Sequence, residues 1–326
     1  MKTKYLSSSC VVSRFITLFI LLASLLVLPK INAALEDTFT KDKLIYQVTK
    51  EDQASKTGTV TLFRTDNEIP SELPSDVTVP ASVFNGGFTY SVTLIRYGAF
   101  SRFNNLKSVV IPDSVTSIGE RAFNGCINLR SVTIGKSVTS IGKWAFQNCS
   151  SLTNIIIPDS VTSIGETAFM GCSGLTEIIV GENNPNFSCL HGVLFNKDQT
   201  TLIQFPIGKK GIYTIPDGVT FIGEMAFAGC SGLTSIVIPD SVTKIGEGAF
   251  AECNGLESVT LGKGVASIGK EAFRNCGKLT AVYFKGDAPN LPEGDAFFKP
   301  SVIHYKPGTT GWKNPWDGRP TKEWVE

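Results

Sequence analysis

LTNIIIPDSVTSIGETAFMGCSG, residues 152–174, is one turn of a pattern that recurs every 23 residues. The preceding stretch, LRSVTIGKSVTSIGKWAFQNCSS from Leu129, matches it position by position. LTSIVIPDSVTKIGEGAFAECNG from Leu233 and LESVTLGKGVASIGKEAFRNCGK from Leu256 follow the same template. A repeat this short cannot bury an apolar face alone, so each unit must stack on its neighbours to form a solenoid.

The template reads LxxVxI-x3-V-xx-IG-xx-AF-xx-C. Its first half alternates and is β-branched, which predicts a short strand. Pro112, Pro158 and Pro239, or Gly135, Gly181 and Gly262, then stop the ladder and start a turn. A second extended piece such as VTSI leads to a recurrent glycine (Gly119, Gly142, Gly165, Gly223, Gly246, Gly269), as expected for a positive φ or a close approach of adjacent coils. The Ala-Phe step predicts a stacked spine of Phe123, Phe146, Phe169, Phe227, Phe250 and Phe273. Each ring contributes roughly 1.5–3 kcal/mol when fully buried. The expected fold is therefore a mainly β solenoid, a leucine-rich-repeat array of about 23-residue coils over residues 92–284.

Both ends depart from the template, as terminal coils must where one face meets water. Residues 34–91 read as a β-rich cap, with LIYQV (Leu44 to Val48) and TVTLF (Thr59 to Phe63) as strand candidates. Residues 285–326 read as a second cap, in which Ala296-Phe297 keeps the Ala-Phe step and Trp312, Trp316 and Trp324 plug the open end. Inside the array, Phe169 and Phe227 are 58 residues apart, one period plus 35. The extra segment, about 181–214, contains GVLFNKDQTTLIQFP, which predicts a variant coil or a protruding hairpin turning at Asn196–Gln199.

Residues 1–33 contain Lys2, Lys4, Arg14 and Lys30 and no acidic residue, leaving 26 basic against 29 acidic residues in the remainder. No basic stripe follows, which argues against nucleic acid as a partner. The basic residues flank FITLFILLASLLVL (Phe15 to Leu28), too short for a comfortable membrane span, and Asn32-Ala33-Ala34 follows. This is the pattern of a secretory leader, so the expected location is secreted or cell surface, with membrane contact only through an uncleaved leader.

Six cysteines (Cys126, Cys149, Cys172, Cys230, Cys253, Cys276) share one repeat position three residues after the Phe. Regular inward spacing predicts a ladder of buried thiols, with disulfides between neighbouring coils as the alternative. A line of thiols does not surround an ion, so neither a metal nor a cofactor is expected. Cys189 and His191 are too close in sequence for a typical nucleophile and its base and read as loop residues beside the hairpin, with a shared metal, if other ligands approached, as the alternative. Asp113, Asp159, Asp217 and Asp240 recur at a turn position where Asp bonds its own backbone. Glu120, Glu166, Glu224 and Glu247 read as a solvated edge. HExxH, GxSxG and P-loop motifs are absent, and no catalytic constellation stands out from the repeat.

The strand position between the buried residues of VxI carries Val110, Thr133, Ile156, Ile179, Val237, Thr260 and Tyr283. Alternation points them away from the core. Five are apolar, and an exposed apolar stripe of this kind is the expected partner-binding surface, with plain β-propensity as the alternative explanation.

The units IPDSVTSIGERAFNGC (Ile111 to Cys126) and IPDSVTSIGETAFMGC (Ile157 to Cys172) resemble the BspA-like, or Treponema pallidum type, leucine-rich repeats. GVLFNKDQTTLIQFP and YKPGTTGW (Tyr305 to Trp312) are similar to accessory elements of the same proteins, so the likeness spans roughly residues 75–320. It implies an exported, non-enzymatic protein-binding module, an adhesin or host-interaction protein. The implied partner is an extracellular or host protein such as a matrix protein. The alternative is a glycan-binding or envelope-structural protein using the C-terminal aromatic cap. The resemblance supplies no binding residues.

Overall fold

The computed structural model describes residues 38–63, 73–291, 296–297 and 302–324; the leader-like residues 1–33 lie outside them. Two parallel ladders run the length of the molecule, one for each extended piece of the repeat. The first contains Asp76–Thr78, Ser108–Val110 and Ser131–Thr133, then the pair Asn154–Ile157 and Glu177–Val180. It resumes at Gly211–Thr214 and continues through Leu233–Ile238, Ser258–Leu261, Ala281–Phe284 and Val302–Tyr305 to Thr321–Glu323. The second is built of two-residue strands, Ser117–Ile118, Ser140–Ile141 and Ser163–Ile164, then Phe221–Ile222, Lys244–Ile245 and Ser267–Ile268. Registers are one repeat apart, Ile141 opposite Ile118 and Ile164, because identical units stack best in phase.

The chain enters through Thr38–Lys41, Leu44–Asp52 and Thr57–Phe63, an antiparallel meander. Its last strand pairs in parallel with Phe88–Ile95, which starts the second ladder. Helices are absent among the described residues.

The phenylalanine spine stacks face to face. Ring centroids of Phe100, Phe123, Phe146 and Phe169 follow one another at 5.1, 5.2 and 5.8 Å. A second run joins Phe205, Phe227, Phe250, Phe273 and Phe297 at 4.8, 4.7, 4.9 and 4.9 Å. Phe205 belongs to the inserted segment and lies off the 23-residue phase, which hid it from the repeat. The thiols run alongside as donors: the Sγ–H groups of Cys126, Cys149 and Cys172 bond the carbonyls of Phe100, Phe123 and Phe146 at 3.0, 3.2 and 3.0 Å. All seven described cysteines are free thiols, and the six ladder members are buried. Hydrogen bonding to the neighbouring thiol and burial hold Cys149 well above the ordinary thiol pKa.

Of the two reasons offered for the recurrent glycine, close approach is the operative one. A Cβ on Gly165 would meet the Lys143 amide nitrogen at 2.3 Å, and one on Gly142 would meet that of Glu120 at 2.5 Å. The positive φ falls two residues later, on Arg121 (55°), Trp144 (56°), Thr167 (53°), Met225 (54°), Gly248 (56°) and Glu271 (55°). There the chain turns from the second ladder into the Ala-Phe step.

The inserted segment is a three-stranded meander rather than a protruding hairpin. Phe187–Leu190 pairs antiparallel with Val193–Asn196, which pairs antiparallel with Thr201–Gln204. Thr201–Gln204 then takes the second-ladder position beside Phe221–Ile222. The first turn, His191-Gly192, has φ of 52° and 76°, a two-residue hairpin loop of the primed type. Val193, Leu194 and Phe195 are fully buried. Leu194 packs into the N-terminal core, while Val193 and Phe195 pack into the C-terminal one. A strand buried on both faces reads as a continuous apolar run, and VLF is that run.

Candidate functional site

The strand of residues 154–157 shows how the first ladder makes a surface: Ile155 and Ile157 are buried, whereas Ile156 is 54% exposed. The same outward position places Val110 opposite Thr133, Ile156 opposite Ile179, and Val237 opposite Thr260, which faces Tyr283 in turn. Val110, Thr133 and Ile156 are exposed; Ile179, Val237, Thr260 and Tyr283 are half-buried. The row therefore has three pieces in register, and the inserted segment separates the Ile156–Ile179 piece from that of Val237.

Register adds members that the repeat did not reveal. Thr78 continues the row beyond Val110, Thr214 precedes Val237, and His304 and Lys322 follow Tyr283. The His304 ring stacks on Tyr283 at 4.8 Å; burial, and then the Lys322 charge, lower its pKa. On the same strand face, two residues earlier, Ile212 is 73% exposed and lies in register with Ser235 and Ser258. Its apolar signal was masked because it sits where the phase is broken.

Several of the other sequence candidates have structural employment. Asp113, Asp159 and Asp240 accept from the backbone N–H of Lys136, Asn183 and Lys263 at 2.7, 3.1 and 2.8 Å. These bonds join each turn to the next coil, not to its own backbone, so the recurrent Asp staples neighbours together. Glu166 is half of an exposed ion pair with Lys143 at 2.6 Å, which lowers its pKa. His191 occupies its hairpin turn, and the Cys189 sulfur accepts from the Val180 N–H at 3.4 Å. The described residues contain no group of three or more His, Cys, Asp or Glu able to hold a metal.

At the C-terminal end, Trp316 is buried against Phe284 and Phe297. Trp312 is half-buried between Phe284 and Tyr305, and its Nε1 donates to Thr309 Oγ1 at 2.9 Å. Trp324 packs on Tyr283. These rings close the end of the core, which leaves no open tryptophan face at Trp316 for a sugar to stack on.

A concavity interrupts the surface at the inserted segment. Where the inserted segment separates the coil of Phe169 from that of Phe205, a cleft of about 570 Å³ opens, floored by Ile164, Phe169, Leu194 and Ile203. Met225 and Trp144 form part of its walls.

Comparison with known proteins agrees with this architecture. A family model described as the BspA type leucine-rich repeat region matches in six copies over residues 93–212 and 212–301, more than half of the chain. No curated protein sequence matches. Among solved structures, the pneumococcal vaccine antigen PcpA aligns with a TM-score of 0.62 at 20% identity, over 84% of this chain and 88% of its own. A leucine-rich repeat protein from Eubacterium ventriosum aligns with a TM-score of 0.56 at 27% identity, over 81% of this chain and 77% of its own.

Proposed function

The chain belongs to the BspA-type leucine-rich repeat family, and on that premise we propose that it is an exported, non-enzymatic module that binds another protein through its first-ladder face. The observation that carries this reading is the apolar side chain at a solvent-facing strand position, Ile156 above all, in register with Ile179 and recurring at the equivalent position in Val110. A strand pair needs no isoleucine on its wet face, and clustered exposed apolar groups mark interaction surfaces. A β-solenoid of this class is typically a display scaffold, and the turn carboxylates of Asp113, Asp159 and Asp240 are committed to the fold. The leader-like residues 1–33 support export, and the vaccine-antigen designation of the pneumococcal structure is compatible with a surface location.

The proposed partner is an extracellular or host protein of the matrix class. The test is binding of the purified chain to immobilised fibronectin, fibrinogen and a glycan panel, beside an Ile156→Asp/Ile179→Asp double variant with unchanged circular dichroism. Protein binding that falls at least tenfold in the variant supports the strand face. Binding equal in both proteins removes that face from the mechanism, and a glycan signal alone replaces the protein partner.

A further inference from the structure

The cleft beside the inserted segment is also a break in the backbone ladder. In intact coils, the N–H groups two residues before the Phe and on the Phe itself donate to the next coil. Arg121 donates to the Lys143 carbonyl at 3.0 Å and Phe123 to that of Ala145 at 2.7 Å. Trp144 and Phe146 do the same to Glu166 and Ala168 at 3.3 and 2.9 Å. The equivalent N–H groups of Thr167 and Phe169 have no acceptor among the described residues. The carbonyl edge is open as well: Ile118 and Ile141 accept from Gly142 and Gly165 at 2.8 Å each, while Ile164 accepts from no following coil. On the opposite wall, Thr201–Gln204 has both edges paired already, to Val193–Asn196 and to Phe221–Ile222.

An unpaired backbone donor on Phe169, whose side chain is buried, is uncommon, because an unsatisfied buried N–H costs about as much as a lost hydrogen bond. One wall of the cleft thus presents an acceptor and two donors along a strand edge. That is the pattern which an added strand satisfies.

The geometry points to this cleft as a binding site for a short extended peptide segment bearing an apolar side chain next to a basic one. Its backbone would donate to the Ile164 carbonyl and accept from the Thr167 and Phe169 N–H groups. The apolar side chain would lie over Ile164, Ile203 and Met225. The charge at the rim selects the basic neighbour: Glu166, Glu224 and Glu247 line the cleft with one cation, Lys143, and that ammonium already pairs with Glu166. Lys244 sits nearby, over the Phe221 ring at 5.3 Å, outside the lining. A volume of about 570 Å³ is that of a pocket for a small ligand rather than a protein interface, so only a few residues enter. None of the outward residues of the first-ladder face line this cleft, so the two sites are separable.

The repeat supplies its own controls. Met225 occupies the position that Trp144 holds one half of the array away, with φ of 54° and 56°. Met225→Trp therefore fills the cleft with a residue which the fold already carries there. Glu224 and Glu247 occupy the position of Lys143 and Lys270, so Glu224→Lys/Glu247→Lys reverses the rim within the same precedent. The probe is a positional-scanning library of acetylated hexapeptide amides, read by fluorescence polarisation on the purified chain, with melting curves confirming each variant's fold. The expected result is selection of Lys or Arg beside Leu, Ile, Met or Phe. Met225→Trp should weaken binding at least tenfold, and the charge-reversed variant should select Asp or Glu instead. Ile156→Asp/Ile179→Asp should leave all of this unchanged. Absence of selection, selection indifferent to Met225→Trp, or selection lost only in the strand-face variant overturns the proposal.

Discussion

Thr167 shows the cost of the repeat at the level of one residue. Its φ is 53°, in the left-handed region that a β-branched side chain rarely occupies. The position is imposed by the turn and is shared with Arg121, Trp144, Met225 and Glu271; only Gly248 meets it without strain. Thr167→Gly is therefore expected to raise stability by about 0.5–1 kcal/mol, the left-handed penalty partly offset by glycine's larger unfolded-state entropy. Urea denaturation of the two proteins decides it, and a lower midpoint for the glycine variant would refute the strain. Thiols give a second residue-scale expectation. Six cysteines are buried, and Cys189 alone among the described ones is partly exposed. Among the seven described cysteines, iodoacetamide under native conditions is expected to modify Cys189, mapped by mass spectrometry. Modification of Cys149 or Cys253 at a comparable rate would contradict the packed ladder, in which thiol neighbours and burial push both thiols well above the ordinary range.

Elements in this protein are stabilised by stacking between coils more than within them, and the phenylalanine spine is the clearest case. Phe146 lies between Phe123 and Phe169 at 5.2 and 5.8 Å and is completely buried. Phe146→Ala should cost about 3–5 kcal/mol, the range for deleting a buried aromatic ring. Phe84→Ala, at an exposed ring, should cost less than about 0.5 kcal/mol. Equal losses in thermal denaturation would mean that the spine is not the main support. What could be read in advance follows the same division. Wherever the 23-residue phase holds, VxI alternation, the Ala-Phe step and the cysteine position declare strand, spine and thiol ladder directly. At the phase break the signal fails: the Phe187–Leu190 strand is short and half-buried, and Phe205 follows Gln204 rather than Ala. The strand face was legible at Ile156 because its neighbours are buried by alternation. Ile212, Thr214 and His304 join it only through pairing across coils, which no single stretch of sequence contains. The recurrent Asp looks like a local turn residue in the sequence because its acceptor role reaches a backbone 23 or 24 residues away.

For the molecule as a whole, the inserted meander divides a one-dimensional stack into two cores that meet across its strands. In a solenoid, stability is the sum of each coil's own contribution and its interfaces with the coils on either side. The interface between the coils of Phe169 and Phe205 lacks the spine contact and the backbone bonds of Thr167 and Phe169, and the strands of the inserted meander are what pack into both halves. Coupling across that seam should therefore be weaker than across any intact coil boundary. Hydrogen exchange tests this directly. The Thr167 and Phe169 amides are expected to exchange faster than those of Trp144 and Phe146, their equivalents with acceptors. Phe250→Ala should then lower protection along residues 201–284 while leaving residues 95–164 near their wild-type rates. If protection fell equally on both sides, the two cores would be unfolding as one unit, and the seam would be a feature of shape without energetic consequence. If it falls on one side only, a ligand that bridges the cleft restores the missing backbone bonds and couples the halves. Binding there would then be visible as recovered protection at Thr167 and Phe169 and as a rise in the cooperativity of unfolding.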